Sequence, residues 1–321
     1  PKKGIGPHDV AISLVKATFE SGVVKNKVLE FAGPGVKNLP IDFRNGIDIM
    51  TTETTCLSSI WVTDEEVKHH YEIHERPQDY RELKPGDVAY YDMMIRIDLS
   101  SQEAMIALPF HPSNAVTIHE LQADPVGILT RIEEDAKKRF GDKVDVHLLD
   151  KIVDGKVRAD QGIIAGCSGG TYDNLAEAAS IIKGKSIGND YFTASAYPQS
   201  TPVSMAVTRE GITADLMEAG ITMKPAFCGP CFGAGDVPSN NGLSIRHTTR
   251  NFPNREGSKP GQGQLSLVAL MDARSIAATA ANGGIITAAT DVEYENTHKP
   301  YQYDDKIYKC RVYNGFGKAK P

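Results

Sequence analysis

The stretch QGIIAGCSGGTYDNLAEAASII, residues 161–182, decides the fold. Its first residues form a short apolar run, which predicts a buried strand. The glycines around Cys167 then predict a tight turn, and the residues that follow predict a helix. A strand, a glycine-rich turn and a helix in succession are typical of parallel α/β units.

Similar elements lie on both sides of this stretch. Strands are predicted within residues 26–35, 88–100, 191–198, 222–227 and 243–249, and helices within residues 9–22, 63–74, 124–140, 202–220 and 273–283. Thr63 is the predicted N-cap of the second of these helices, and Asp124 followed by Pro125 begins the third. The predicted fold class is therefore α/β, with mainly parallel sheets flanked by helices.

The composition narrows the class of protein. The 321 residues are 40% hydrophobic, which suits a globular protein of about two domains. The net charge is −6 without a basic stripe, so no nucleic-acid partner is expected. The apolar runs are too short to span a membrane, and the first residues, PKKGIGPHDV, lack the apolar core of a signal peptide. Five cysteines are an odd, sparse set, which favours a reducing cytoplasm.

The motif FCGPCFG, residues 227–233, carries a C-x-x-C pair whose role is open on its own. A redox pair would be expected at a helix N-terminus early in a small domain, and a structural zinc site usually has a second close pair. Two inert thiols are a third interpretation. Cys167 adds a third thiol that also follows a predicted strand, so we expect it to converge with Cys228 and Cys231 at one edge of the sheet. Three thiolates can hold three irons of a cubane and leave the fourth iron open as a Lewis acid.

A series of motifs in this order and spacing resembles the aconitase family. They are GIGPHDVAI, LEFAGPGV, YYDMMIRIDLS, LPFHPSNAVTIHEL, IAGCSGGTYDNL, FCGPCFG and TTRNFPNREGS. The resemblance covers most of the chain, from about Gly4 to Asp291. The resemblance implies that Cys167, Cys228 and Cys231 ligate a 4Fe–4S cluster. It also implies a hydro-lyase that moves water across a carbon–carbon double bond of a small hydroxy di- or tricarboxylic acid.

The resemblance further implies a division of the chain. Residues 1–122 match the family's second α/β module, and residues 123–295 match the third module, which carries the cluster cysteines. Residues 296–321 are predicted to be an extended linker toward a C-terminal swivelling domain. The family's N-terminal module and its C-terminal domain are then the expected partners, and the isolated chain is expected to be inactive without them.

Several further residues match positions that the family uses around its substrate. Arg250 and Arg255 match the substrate-binding arginines, and a guanidinium can bind a carboxylate through two hydrogen bonds. Asn45 matches an asparagine near the cluster. The acidic residue beside the family's active-site histidine is either Asp48 or Glu53, because the spacing differs by one residue in either direction.

The chain also departs from the family pattern close to these motifs. Ser168-Gly169-Gly170 stands where Thr-Asn-Ser is common, Thr249 stands where Asn is common, and Ala234-Gly235 replaces Gln-Trp. These differences favour a divergent hydratase over a citrate–isocitrate aconitase. They also motivate the alternative of a non-catalytic relative that retains the fold. A third possibility is a zinc-binding or redox relative that uses only the CGPC loop.

Overall fold

The structure, a computed structural model, describes residues 1–188, 191–253 and 263–311. Its strands are β1 Val28–Phe31, β2 Ser58–Trp61, β3 Met105–Ala107, β4 Ala115–Thr117, β5 Ile152–Val153, β6 Lys156–Val157, β7 Gln161–Ile164, β8 Thr193–Ala196, β9 Thr222–Met223, β10 Gly242–His247 and β11 Ser266–Met271. Its α-helices are α1 Pro7–Thr18, α2 Ile41–Asp48, α3 Glu65–Ile73, α4 Ile118–Ala123, α5 Pro125–Phe140, α6 Gly166–Gly169, α7 Tyr172–Ile182, α8 Thr201–Arg209, α9 Ile212–Glu218, α10 Ala273–Ala281 and α11 Lys306–Arg311.

A seven-stranded sheet with the order β4-β3-β11-β10-β7-β8-β9 forms the centre of the fold. The strands from β11 to β9 run parallel, whereas β3 and β4 pair in antiparallel fashion at one edge. Two small sheets, β1–β2 and β5–β6, lie outside it. The predicted α/β class with mainly parallel strands is confirmed. Strands from both sides of residue 122 belong to the central sheet, and the division into two modules stays a prediction.

The core forms because the central strands are buried on both faces and are mainly apolar. All residues of β10 and β11 are buried, as expected for parallel strands covered by helices. The helices α7 and α10 contact each other through alanine-rich surfaces, which allow their backbones to approach closely. This arrangement places the loops that follow β7 and β10 at the same edge of the sheet, because Ile164 lies opposite His247 in the register.

Local signals predicted the start of α5 correctly and missed the cap of α3 by one residue. Asp124 accepts the N–H of Gly127 and Pro125 follows it, as predicted for α5. The predicted cap of α3 is wrong, because Asp64 rather than Thr63 accepts the N–H of Val67. The Asp64 carboxylate also pairs with the buried guanidinium of Arg44 at 2.8 Å, which fixes it at the helix start.

The strand predicted within residues 88–100 does not form. The segment lies beside β1, where the Tyr91 hydroxyl donates to Glu30 and Lys27 pairs with Asp92. These are side-chain contacts at the surface, and Tyr90 is 94% exposed. Alternating apolar residues favour an extended backbone, but a strand also needs a neighbouring ladder of hydrogen bonds. Within the described residues, no helix is long and apolar enough to cross a membrane.

Candidate functional site

Cys167 lies where the chain leaves the central sheet. β7 ends at Ile164, Gly166 adopts a positive φ of 72°, and Cys167 is the second residue of the short helix α6. The residue reaches the surface, yet partial burial of its thiol is the main cause that raises the pKa of Cys167. The charge of Cys228 raises this pKa further and that of Arg250 lowers it, so both groups lie near the thiol.

Cys228 directly precedes the 3-10 turn Gly229–Cys231 and Cys231 ends it, and the sulfurs of both residues lie close to Gly166. A side-chain carbon built on Gly166 would lie 3.4 Å from the sulfur of Cys231 and 3.5 Å from the sulfur of Cys228. Both sulfurs therefore face the residue directly before Cys167. The predicted convergence of the three cysteines is observed, and their role as ligands stays a prediction.

The space beside Gly166 fits a group held by several thiolates. Glycine has no side chain there, so the volume next to the two sulfurs is open at the position that a Cβ would fill. In the part of the chain that the structure describes, no three His, Cys, Asp or Glu side chains are grouped to hold a single metal ion. An iron–sulfur cluster is ligated differently, because each thiolate binds a different iron.

Arg250 and Glu53 meet beside these thiols, although they are 197 residues apart in sequence. The Arg250 Nε donates to Glu53 Oε1 at 2.6 Å. Glu53 is 6% exposed in the turn Ile49–Thr54, whereas the Arg250 side chain is 38% exposed. Because Nε makes this contact, a carboxylate could still accept hydrogen bonds from the two terminal nitrogens. Glu53 thus fixes the Arg250 guanidinium in a position next to Cys167.

The other predicted site residues are placed differently. Asn45 is exposed on α2, a helix that contacts α6. Asp48 Oδ1 accepts the indole N–H of Trp61 at 2.9 Å, and Trp61 stacks on Phe31 with ring centroids 4.2 Å apart. Asp48 thus ties α2 to the β1–β2 sheet, whereas Glu53 faces Arg250. Arg255 lies outside the described residues.

Sequence reasoning missed a buried polar network beneath the Cys167 turn. His8 and His247 are fully buried, with ring centroids 4.2 Å apart. Arg274 donates to both Asp272 and Asn174, and the Asn174 amide donates to the Ser168 carbonyl at 2.9 Å. The signal that could have found it is the run of polar residues in β10, an otherwise apolar strand.

The network holds His247 in its neutral form. The Ala273 N–H donates to His247 Nδ1 at 2.9 Å, so the ring proton sits on Nε2. Burial lowers the pKa of His247 to about 4, with Asp272 opposing the shift and Arg274 adding to it. Among the described residues, both ring nitrogens of His8, Nε2 of His247 and Oγ of Ser168 are buried without a hydrogen-bond partner.

We expect His247 to make the protein acid-sensitive. Its folded pKa of about 4 lies below the unfolded value of 6.5, so its contribution is complete above pH 6.5 and is lost as the pH falls toward 4. The loss amounts to about 3 kcal/mol of unfolding free energy. In His247→Asn, whose side-chain oxygen can accept the same N–H, urea unfolding at a series of pH values should show a shallower dependence. His69→Gln, at a surface histidine, is the control and should keep the wild-type slope.

Gly170 explains one departure from the family pattern. A side-chain carbon there would lie 2.2 Å from the Tyr197 carbonyl oxygen and 2.6 Å from the Gln199 nitrogen. The Gln199 N–H also donates to the Gly170 carbonyl at 2.7 Å, so the two backbones are in direct contact. The glycine is required by this approach of the loop after β8.

Gly170→Ser, which places the residue common in the family at this position, is therefore expected to destabilise the fold. Overpacking of this kind costs about 1–3 kcal/mol, measured as a lower midpoint of urea unfolding. Gly86→Ser is the matched control, because the nearest atom to its added carbon is 3.9 Å away. Equal midpoints for the two variants would show that the loop after β8 can move aside.

The family model described as the aconitase family (aconitate hydratase) matches residues 1–278. The chain belongs to the aconitase family. This aconitase-family chain is 27% identical to the mitochondrial homoaconitase of Debaryomyces hansenii over 282 residues, which cover 82% of the chain and 36% of that relative.

Two bacterial relatives cover similar parts of the aconitase-family chain. The 3-isopropylmalate dehydratase large subunit of Elusimicrobium minutum is 25% identical over 261 residues, which cover 81% of the chain and 54% of the relative. The 3-isopropylmalate dehydratase large subunit 2 of Rubrobacter xylanophilus is 29% identical over 287 residues, which cover 89% of the chain and 58% of the relative. The chain thus spans less than two thirds of the length of these relatives.

Proposed function

We propose that this chain is part of an aconitase-like 4Fe–4S hydro-lyase that dehydrates and rehydrates a small hydroxy di- or tricarboxylic acid. The observation that carries the proposal is the convergence of three thiols at the sheet edge. The sulfurs of Cys228 and Cys231 face Gly166, the residue before Cys167, with the guanidinium of Arg250 nearby. The names of the relatives, homoaconitase and 3-isopropylmalate dehydratase, support a hydroxy-carboxylic acid as substrate.

In this proposal each residue has a separate task. Cys167, Cys228 and Cys231 would hold the cluster, which when bound supplies a Lewis-acid iron for a substrate hydroxyl. Arg250 would bind a substrate carboxylate, with Arg255 as a second anchor. Glu53 is the better candidate for the active-site acid, because Asp48 is engaged by Trp61 and Glu53 faces Arg250.

The proposed activity belongs to a protein or assembly larger than this chain. Relatives are covered over only 36% to 58% of their length, which supports further modules or a further subunit as partners. Dehydration also needs a base that removes a proton from carbon and a site that excludes water. We propose that residues 1–122 and 123–295 form two family modules, with 296–321 linking to the rest in a cytoplasmic enzyme.

Anaerobic reconstitution with iron and sulfide tests the proposal. We expect about four irons per chain and a broad charge-transfer absorption band. Serine substitution of Cys167, Cys228 or Cys231 should abolish both, whereas Cys56→Ser should retain them, because the Cys56 thiol is engaged with the Thr51 carbonyl and is not among the predicted ligands. A colourless product with one bound zinc would instead support the zinc-binding alternative.

A further inference from the structure

A buried arginine lies behind the loop that carries Cys228 and Cys231. Arg246 is the next-to-last residue of the central strand β10 and is 0% exposed. Arginine is rarely buried to this extent unless its donors are satisfied. Its Nε donates to Ser244 Oγ at 2.8 Å within the same strand, which fixes the orientation of the guanidinium plane.

The terminal nitrogens of Arg246 reach two carbonyls of the cysteine loop. Nη1 donates to the Pro230 carbonyl at 2.6 Å, and Nη2 donates to the Asp236 carbonyl at 3.1 Å. Pro230 lies between Cys228 and Cys231, whereas Asp236 lies beyond them. The planar guanidinium therefore fixes the turn between the cysteines and the end of the loop relative to each other and to the sheet.

Tyr197 adds a second contact to the same loop. It follows β8, and its hydroxyl donates to Asp236 Oδ2 at 2.6 Å. Regular structure in the loop is limited to the turn Gly229–Cys231, and the flanking Phe227 and Phe232 are 50% and 57% exposed. Arg246 and Tyr197 thus supply contacts from the rigid sheet that the loop's own short turn does not provide.

We propose that Arg246 is a positioning residue for the thiols, holding the 227–236 loop so that Cys228 and Cys231 face Gly166. Tyr197 assists through Asp236. A lysine at position 246 keeps the positive charge but cannot donate in a fixed plane to three acceptors at once. The part of this proposal that concerns retention of the cluster rests on the proposed function. The part that concerns the geometry of the loop can be tested without a cluster.

The first measurement uses the metal-free chain. The rates at which iodoacetamide modifies Cys228 and Cys231 are followed by peptide mass spectrometry. Arg246→Lys should raise these rates about tenfold, the ratio expected for loss of one charge-assisted hydrogen bond, and Tyr197→Phe about threefold. Arg44→Lys is the matched control, since Arg44 is 3% exposed and donates to the Val36 and Leu39 carbonyls. It should lower thermal stability but leave the two thiol rates unchanged.

The second measurement uses the reconstituted chain. Iron loss to a chelator should be about tenfold faster in Arg246→Lys and remain within about twofold of wild type in Arg44→Lys. If the wild-type chain takes up no cluster, the proposed function fails while the thiol rates still decide the role of Arg246. Wild-type thiol rates in folded Arg246→Lys and Tyr197→Phe, or an equal increase in Arg44→Lys, would overturn the inference. If Arg246→Lys does not fold, the thiol modification rates of Tyr197→Phe alone decide whether the inference holds.

Discussion

Gly166→Ala is expected to reduce the iron content of the reconstituted chain from about four atoms to less than one, while the chain still folds. The added methyl group would lie 3.4 Å and 3.5 Å from the sulfurs of Cys231 and Cys228. These are ordinary contact distances, so the metal-free protein can accommodate the methyl group. A cluster bound to both sulfurs would have to occupy the same volume. Iron and sulfide analysis after anaerobic reconstitution measures the effect.

The strain of alanine at a positive φ is separated from this effect by Gly184→Ala. Gly184 has a φ of 73°, against 72° for Gly166, and has no other atom within 4 Å of the added carbon. Both variants should lose about 1 kcal/mol of stability through the left-handed backbone conformation. Only Gly166→Ala should lose iron. Normal iron content in that variant would place the cluster away from Gly166, and loss in both would indicate that strain is responsible.

The parts of the fold that could be predicted from sequence are those with local causes. The unit from β7 through the Gly166 turn to α7 follows from an apolar run, small residues and helical spacing within one stretch. The start of α5 follows in the same way from Asp124 and Pro125. The cysteine convergence was also predictable, because parallel strands bring their carboxyl ends to one edge of a sheet.

The parts that could not be predicted depend on partners distant in sequence. The strands β3 and β4 have only three residues each, and β11 is mainly apolar without alternation. Their assignment as strands depends on the pairing of β3 with β4 and with β11. The segment 88–100 has alternating apolar residues but forms no strand, because no neighbouring strand pairs with its backbone. Asp48 and Glu53 were equivalent candidates by spacing, and only the contacts with Trp61 and Arg250 distinguish them. His8 and His247 come together from distant parts of the chain.

Arg250→Ala is expected to reduce turnover of the full-length protein by about ten- to a hundred-fold, as higher KM or lower kcat, without loss of iron. A carboxylate bound by a guanidinium contributes about 1.5–3 kcal/mol, which corresponds to that range. Arg76→Ala is the control, because Arg76 is 66% exposed and pairs with Asp79 on the surface, where such a pair contributes little. Normal kinetics in Arg250→Ala, or loss of the cluster, would contradict the assigned role.

The same substitution has a consequence that needs no substrate. The guanidinium charge lowers the pKa of the Cys167 thiol against the effect of burial, so its removal should raise that pKa and slow alkylation near pH 8. Glu53→Gln should have the opposite effect on this rate, because it leaves the Arg250 charge without its carboxylate neighbour. In the double variant, where the guanidinium is absent, Glu53→Gln should no longer accelerate alkylation. An acceleration that persists in the double variant would show that Glu53 influences Cys167 independently of Arg250.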